Sequence, residues 1–77
     1  MGAEFEPFIR TIAARTGGPS PEQARRYLEL AYRPVFDGKQ RRADLLSWSV
    51  AKLTAENAEG VIAHLTEEVT KLEAATA

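Results

Sequence analysis

The residues of this chain whose types could do chemistry are few, and their spacing does little to bring them together. The single imidazole is His64, the one side chain that ordinarily titrates near neutral pH. Hydroxyl groups stand on either side of Trp48, at Ser47 and Ser49. Nucleophilic catalysis needs a hydroxyl, a base within hydrogen-bond reach and a third group that orients the base. Two serines flanking a tryptophan in a helical stretch have no nucleophile-elbow character. They read as surface serines, and His64 as a solvated histidine on a helix flank. The carboxylates Glu56, Glu59, Glu67 and Glu68 fall on what reads as solvent-facing helix, where acidic groups solubilise instead of forming an acid–base pair. The expectation is that this is not an enzyme.

Metal and cofactor chemistry fare no better. The chain has no cysteine, which excludes disulfides and thiolate zinc sites, and one histidine does not make a structural zinc site. The segment Gly17-Gly18-Pro19-Ser20-Pro21 precedes a helix and invites comparison with a phosphate cradle. It lacks the glycine spacing and the lysine of a P-loop, and its two prolines remove backbone donors. Arg25 and Arg26 follow one turn later and could draw an anion, but helix punctuation is the simpler reading. No cofactor and no small-molecule substrate is expected.

What remains is recognition of another macromolecule. Trp48 lies off the main apolar stripe of its helix, with Leu45 at i−3, and with Lys52 and Arg41 close enough for cation–π contact. A half-exposed tryptophan flanked by leucine and basic groups has the makeup of an interface hot spot. The alternative is that it wraps over a thin core. Tyr32 and Phe36, on either side of Pro34, can extend the same patch. The candidate interface is therefore Trp48, Leu45, Tyr32, Phe36, Arg41, Arg42 and Lys52. Arg33, Lys39, Arg41 and Arg42 also form a basic cluster that could meet nucleic acid or an acidic protein surface. The net charge of −1 speaks against nucleic acid, which favours a strongly basic face. Charge is nonetheless uneven: seven basic and four acidic residues from Ser20 to Leu53 give +3, while one basic and five acidic from Thr54 to Ala77 give −4. Complementary patches of this kind could bring two copies together in an antiparallel sense.

The elements that position these residues are all helical. Phe5, Phe8, Ile9, Ile12 and Ala13 follow the stripe of an amphipathic helix, predicted over Phe5 to Thr16 with Pro7 in its first turn and Gly17-Gly18 as its stop. Ser20, Pro21 and Gln23 spell a capping box for a second helix, whose apolar positions run Ala24, Tyr27, Leu28, Ala31, Tyr32 and Val35. Pro34 either ends that helix near Tyr32 or kinks it. A third helix is predicted from Arg41 to Leu53, with Asp37 and Gln40 as a weaker capping box. A fourth follows Thr54, a good N-cap residue, and runs to about Ala75. Third and fourth do not join smoothly, because the stripe Leu46, Val50, Leu53 is offset by roughly 100° from the stripe Ala58, Ile62, Leu65, Val69, Leu72. A break near residues 54–57 follows. The last helix also fits a heptad from Ala55 to Leu72, but Glu68 would face Glu73 of a parallel partner, so packing inside the domain is preferred.

The fold class is thus a small all-α bundle of three to four mostly antiparallel helices with a longer C-terminal helix. At 77 residues it is one domain, complete in itself or a module of something larger. No apolar run is long enough to span a membrane, and the N-terminus lacks the pattern of a secretory signal, which suits a cytoplasmic protein. With no staple available to so small a core, a partner chain is the natural source of extra stability. The leading functional reading is a non-catalytic docking or self-association domain. A nucleic-acid-binding or regulatory domain, and an amphipathic coat on a membrane or granule, are the alternatives.

Overall fold

The computed structural model describes residues 6–76. Four helices follow in order: α1 (Glu6–Ala13), α2 (Pro21–Ala31), α3 (Gln40–Lys52) and α4 (Ala58–Thr76), with a 3-10 turn over Pro34–Phe36 between α2 and α3. No strand occurs among the described residues, and α4, at 19 residues, is the longest element. None of these helices is long and apolar enough to cross a membrane.

The bundle is organised around α2, which packs against α1, α3 and α4. Ala24, Tyr27, Leu28 and Ala31 lie at i, i+3, i+4 and i+7, so one broad face of α2 is removed from water. Ile9 and Ile12 of α1, Leu45 of α3, and Ala58, Ile62, Leu65 and Val69 of α4 close over it. The buried heptad positions of α4 therefore serve this chain's own core.

Helix starts are set by local chemistry. The Ser20 hydroxyl accepts from the Gln23 N–H at 3.1 Å while the Ser20 N–H donates to Gln23 Oε1 at 2.9 Å, the reciprocal pair that the sequence predicts. Thr54 and Asn57 repeat it: the Asn57 N–H donates to Thr54 Oγ1 at 3.1 Å and the Thr54 N–H to Asn57 Oδ1 at 2.8 Å. The Ala58 N–H then donates to the Thr54 carbonyl, starting α4 after the expected break. The predicted Asp37–Gln40 box does not form. Lys39 is the N-cap of α3 without side-chain help, because Asp37 is drawn to Arg42 at 2.7 Å and Gln40 donates to Asp44 at 3.1 Å.

Helix ends depend on distant residues. α1 stops at Ala13, short of the predicted Thr16, as Arg15 and Gly18 donate to carbonyls three residues back and wind the chain into tight turns. Gly17 takes a φ of +75°, and a Cβ on Gly18 would stand 2.4 Å from the Ile12 carbonyl oxygen, so both glycines are required. Phe5, the first residue of the predicted α1 stripe, lies outside the described residues. Pro34 ends α2 outright, so Val35 sits in the 3-10 turn and not on the α2 stripe.

Two guanidinium groups cap the carbonyls at helix C-termini, which have no partner within their own helix. Arg15 donates to the carbonyls of Leu53 at 2.8 Å, Ser49 at 3.2 Å and Ala51 at 3.3 Å, closing the end of α3. Arg42 donates to the carbonyls of Ala31 and Arg33, both at 3.0 Å, closing the end of α2, and lies 5.0 Å from the centre of the Tyr32 ring. Ser49 is fully buried and donates to the Leu46 carbonyl, which corrects its reading as a surface serine.

Arg15→Ala should lower stability by about 2 kcal/mol, the scale of charge-assisted hydrogen bonds to partly buried carbonyls. The thermal midpoint should drop by roughly 10 °C in a calorimetric scan. Arg15→Lys should recover less than half, since an ammonium cannot fork across three carbonyls.

Candidate docking groove

Both α3 and α4 pack on α2 but scarcely on each other. Between them lies a groove of about 410 Å³, floored by Tyr27, Leu45 and Leu65 and walled by Trp48 on one side and Gly60 and Val61 on the other. Arg41, Asp44 and His64 supply its polar rim. On α3 the positions 41, 44, 45 and 48 make one helical stripe, so the backbone of α3 alone aims this set at the groove.

Tyr27 sets the geometry. Its ring is fully buried, and its hydroxyl donates to the Leu45 carbonyl at 2.7 Å, the partner that a desolvated phenol requires. The Trp48 ring stacks on it with centroids 6.3 Å apart and planes inclined by 25°. Burial pushes the Tyr27 hydroxyl from 10.0 up to about 12, with Arg41 opposing the rise and Glu68 adding to it. Trp48 is half-buried, resting on Tyr27 at the groove wall.

One end of the groove is closed by a forked ion pair, in which Arg41 donates to the two Glu68 oxygens at 3.0 and 2.8 Å. The bond from Arg41 holds the Glu68 carboxyl below its ordinary value, against the opposing effect of burial. Two more members of the basic cluster are also engaged. Arg33 pairs with Glu73 at 3.0 Å and Arg42 with Asp37 at 2.7 Å. Among these four residues only Lys39 has no ion pair among the described residues. The charge asymmetry between the middle of the chain and α4 is thus largely matched inside one copy, with Arg26 and Glu59 as a further pair at 3.1 Å. Hydrogen bonds from Gln23 and then Arg26 draw the Glu59 carboxyl below its ordinary value.

The predicted interface is split by the fold. Trp48, Leu45 and Arg41 come together on the groove. Phe36 is only 1% exposed, turned into the core by the 3-10 turn that begins at Pro34. Tyr32 and Arg42 are stacked together at the end of α2, and Lys52 is exposed at the end of α3, outside the groove lining. Trp48 makes its ring contact with Tyr27, and the cation–π contact is that of Arg42 with Tyr32. At the Gly17–Pro21 segment, Ser20 Oγ takes the Gln23 N–H, the Gly17 carbonyl receives the Ala55 N–H at 3.0 Å, and Arg25 pairs with Glu6. These partners describe a helix start, not an anion cradle. No group of three or more potential metal ligands occurs among the described residues.

Gly60 is the groove residue that sequence reasoning missed. It lies inside α4 without the positive φ that marks Gly17 and Gly38, and a Cβ added there would meet nothing within 4 Å. A glycine in a helix interior costs about 1 kcal/mol relative to alanine, and in the first turn, where Gly60 stands as the third residue of α4, it costs less. Neither the backbone nor the packing of this chain requires it, yet it lines the groove. An isolated glycine in a helical pattern is the signal that could have flagged the position.

Compared with known proteins, the chain matches no family model, and no curated protein or solved structure is significantly similar to it.

Two outcomes follow from this geometry. Gly60→Ala should raise stability by up to about 0.5 kcal/mol in urea titrations, because it gains helix propensity in the first turn of α4 without a clash. Tyr27 favours its neutral form in the folded state, so its contribution is intact below pH 10 and is lost as pH rises toward 12. Unfolding free energy should therefore fall by on the order of 2 kcal/mol across that range, and Tyr27→Phe should flatten the slope.

Proposed function

We propose that this chain is a non-catalytic docking domain that receives a helix of a partner protein in the groove between α3 and α4. The observation that carries the reading is Gly60. A helix-weakening residue with no role in the fold lines an apolar groove opposite a half-buried tryptophan, where a missing side chain lets another backbone approach closely. Grooves between helices are common seats for amphipathic helices, and tryptophan is enriched among the residues that anchor them.

Other uses of the surface fit less well. Nucleic-acid binding through Arg33, Arg41 and Arg42 would have to compete with the carboxylates that already pair with each of them. Coating of a membrane would draw on apolar faces that α1, α2 and α4 bury in the core. Association of two copies groove to groove would set one concave surface against another and leave the space unfilled.

The test places a photo-crosslinking amino acid at Val61, with Glu29 on the exposed face of α2 as the control position. In cells that make the protein, the position-61 variant should give a discrete crosslinked product that Gly60→Leu abolishes, while circular dichroism shows the helical content unchanged. A product that persists in the Gly60→Leu background, or forms equally from position 29, would sink the assignment of the groove. A product of twice the chain mass would replace the partner protein with a second copy.

A further inference from the structure

A second apolar trough continues the groove along the same face of α4. It lies between the 3-10 turn and the last turns of α4, has a volume of about 750 Å³, and takes its apolar lining from Pro34, Val35, Phe36 and Leu72. Leu72 is 38% exposed, the one large hydrophobic side chain left open among the described residues. Val61, Leu65, Glu68 and Leu72 stand at i, i+4, i+7 and i+11, a single stripe beside the buried stripe Ala58, Ile62, Leu65 and Val69. Both troughs therefore open along one line, with the Arg41–Glu68 pair crossing between them. From Val61 to Leu72 the axis of α4 rises about 16 Å, three turns of helix.

The charges at the two ends differ. At the Trp48 end, Asp44 has no ion pair among the described residues, its side chain accepting only from Gln40, with His64 beside it on the rim. At the Leu72 end, Lys39 has no ion pair, while the nearby Asp37 and Glu73 are held by Arg42 and Arg33. One end thus offers a negative group and the other a positive one.

Resting on the docking reading above, we infer that the occupant is an amphipathic helix of a different polypeptide with two apolar anchors eleven residues apart. One anchor fills the groove beside Trp48 and Gly60, and the other covers Leu72 and Val35. Eleven residues are close to three full turns, so both anchors project from the same side of the incoming helix. Between them the helix carries a small or polar residue, because an apolar side chain laid over Arg41 and Glu68 would desolvate an ion pair without replacing its water. A cationic side chain faces Asp44 and an anionic one faces Lys39, which fixes the direction of the bound helix. Among the described helices of a second copy, α1, α2 and α4 turn their apolar faces into their own core, and α3 lays Leu45 and Trp48 on the groove itself, which makes a different polypeptide the better-fitting source of the helix.

The experiment is selection of a phage-displayed library, a single-helix scaffold of roughly 18 residues with one face randomised, on the intact protein. Enriched helices should show large apolar residues at i and i+11 with opposite charges toward the two ends. Exchanging those end charges in a synthetic peptide should weaken binding roughly tenfold, and the paired Lys39→Glu and Asp44→Lys variant should restore the exchanged peptide. Enriched helices that lose affinity with Gly60→Leu but ignore Leu72→Glu and the end charges would overturn the two-anchor inference and leave the docking groove standing. Enrichment indifferent to Gly60→Leu, or no enrichment over the Gly60→Leu protein, would overturn the docking reading itself.

Discussion

The Tyr27 hydroxyl is buried in a core too small to leave a phenol without a partner, and its donor must go somewhere specific. It goes to the Leu45 carbonyl, inside α3 and not at an end of it. That bond fixes the height of α3 above α2. Both outer helices lean on α2, and the gap between them has the Tyr27 ring in its lining. The ring then serves as the floor of that gap, and Trp48 lies on it. A leucine at the position could fill volume but would neither place α3 nor support a tryptophan at the groove wall. An apolar position on the α2 stripe thus becomes the element on which the functional surface rests.

Around this fixed point the chain, which has no cysteine for a disulfide, ties its loops with arginine. Arg15 and Arg42 each reach from outside a helix to its last carbonyls, where the partial negative charge of the helix end adds to the hydrogen bonds. Arg15 binds the segment after α1 to the end of α3, far off in sequence, and Arg42 binds the start of α3 back to the end of the preceding α2. The exposed pairs Arg26–Glu59, Arg33–Glu73 and Arg41–Glu68 contribute less individually, as exposed pairs do, but they fix how α2, α3 and the 3-10 turn sit along α4. The acidic character of α4 is explained by these contacts within one copy.

The groove departs from this economy. Elsewhere each irregular residue has a reason inside the fold: Gly17 for its positive φ, Gly18 for the Ile12 carbonyl, Pro34 for the end of α2. Gly60 and Leu72 have none, the first weakening its helix and the second leaving apolar surface in water. Local departures from foldability that gain nothing within the chain are expected where the chain meets something else. Both lie on one line along α4, in the two troughs that the Arg41–Glu68 pair separates, which is what the docking proposal rests on.

The sequence by itself determined the helical class, the Ser20–Gln23 capping box and the break between α3 and α4 near Thr54, while the Asp37–Gln40 box it also offered does not form. These are legible because they depend on residues within a turn or two of each other: a hydroxyl three residues before an amide, a proline without a donor, a stripe with a period of 3.6. Trp48, Leu45 and Arg41 were also legible as neighbours, since one helix face carries all three. Tertiary structure alone decided that Phe36 turns inward, that Arg42 closes α2, and that Asp37 serves Arg42 in place of a capping box. It alone decided that Ser49 is buried and that His64 joins the rim of a groove. Each of these turns on which of several chemically equivalent partners lies within about 3 Å, and that distance is fixed by how helices far apart in sequence pack around Tyr27. Composition and periodicity state what a side chain can bond to, and only the packed chain selects among the possibilities.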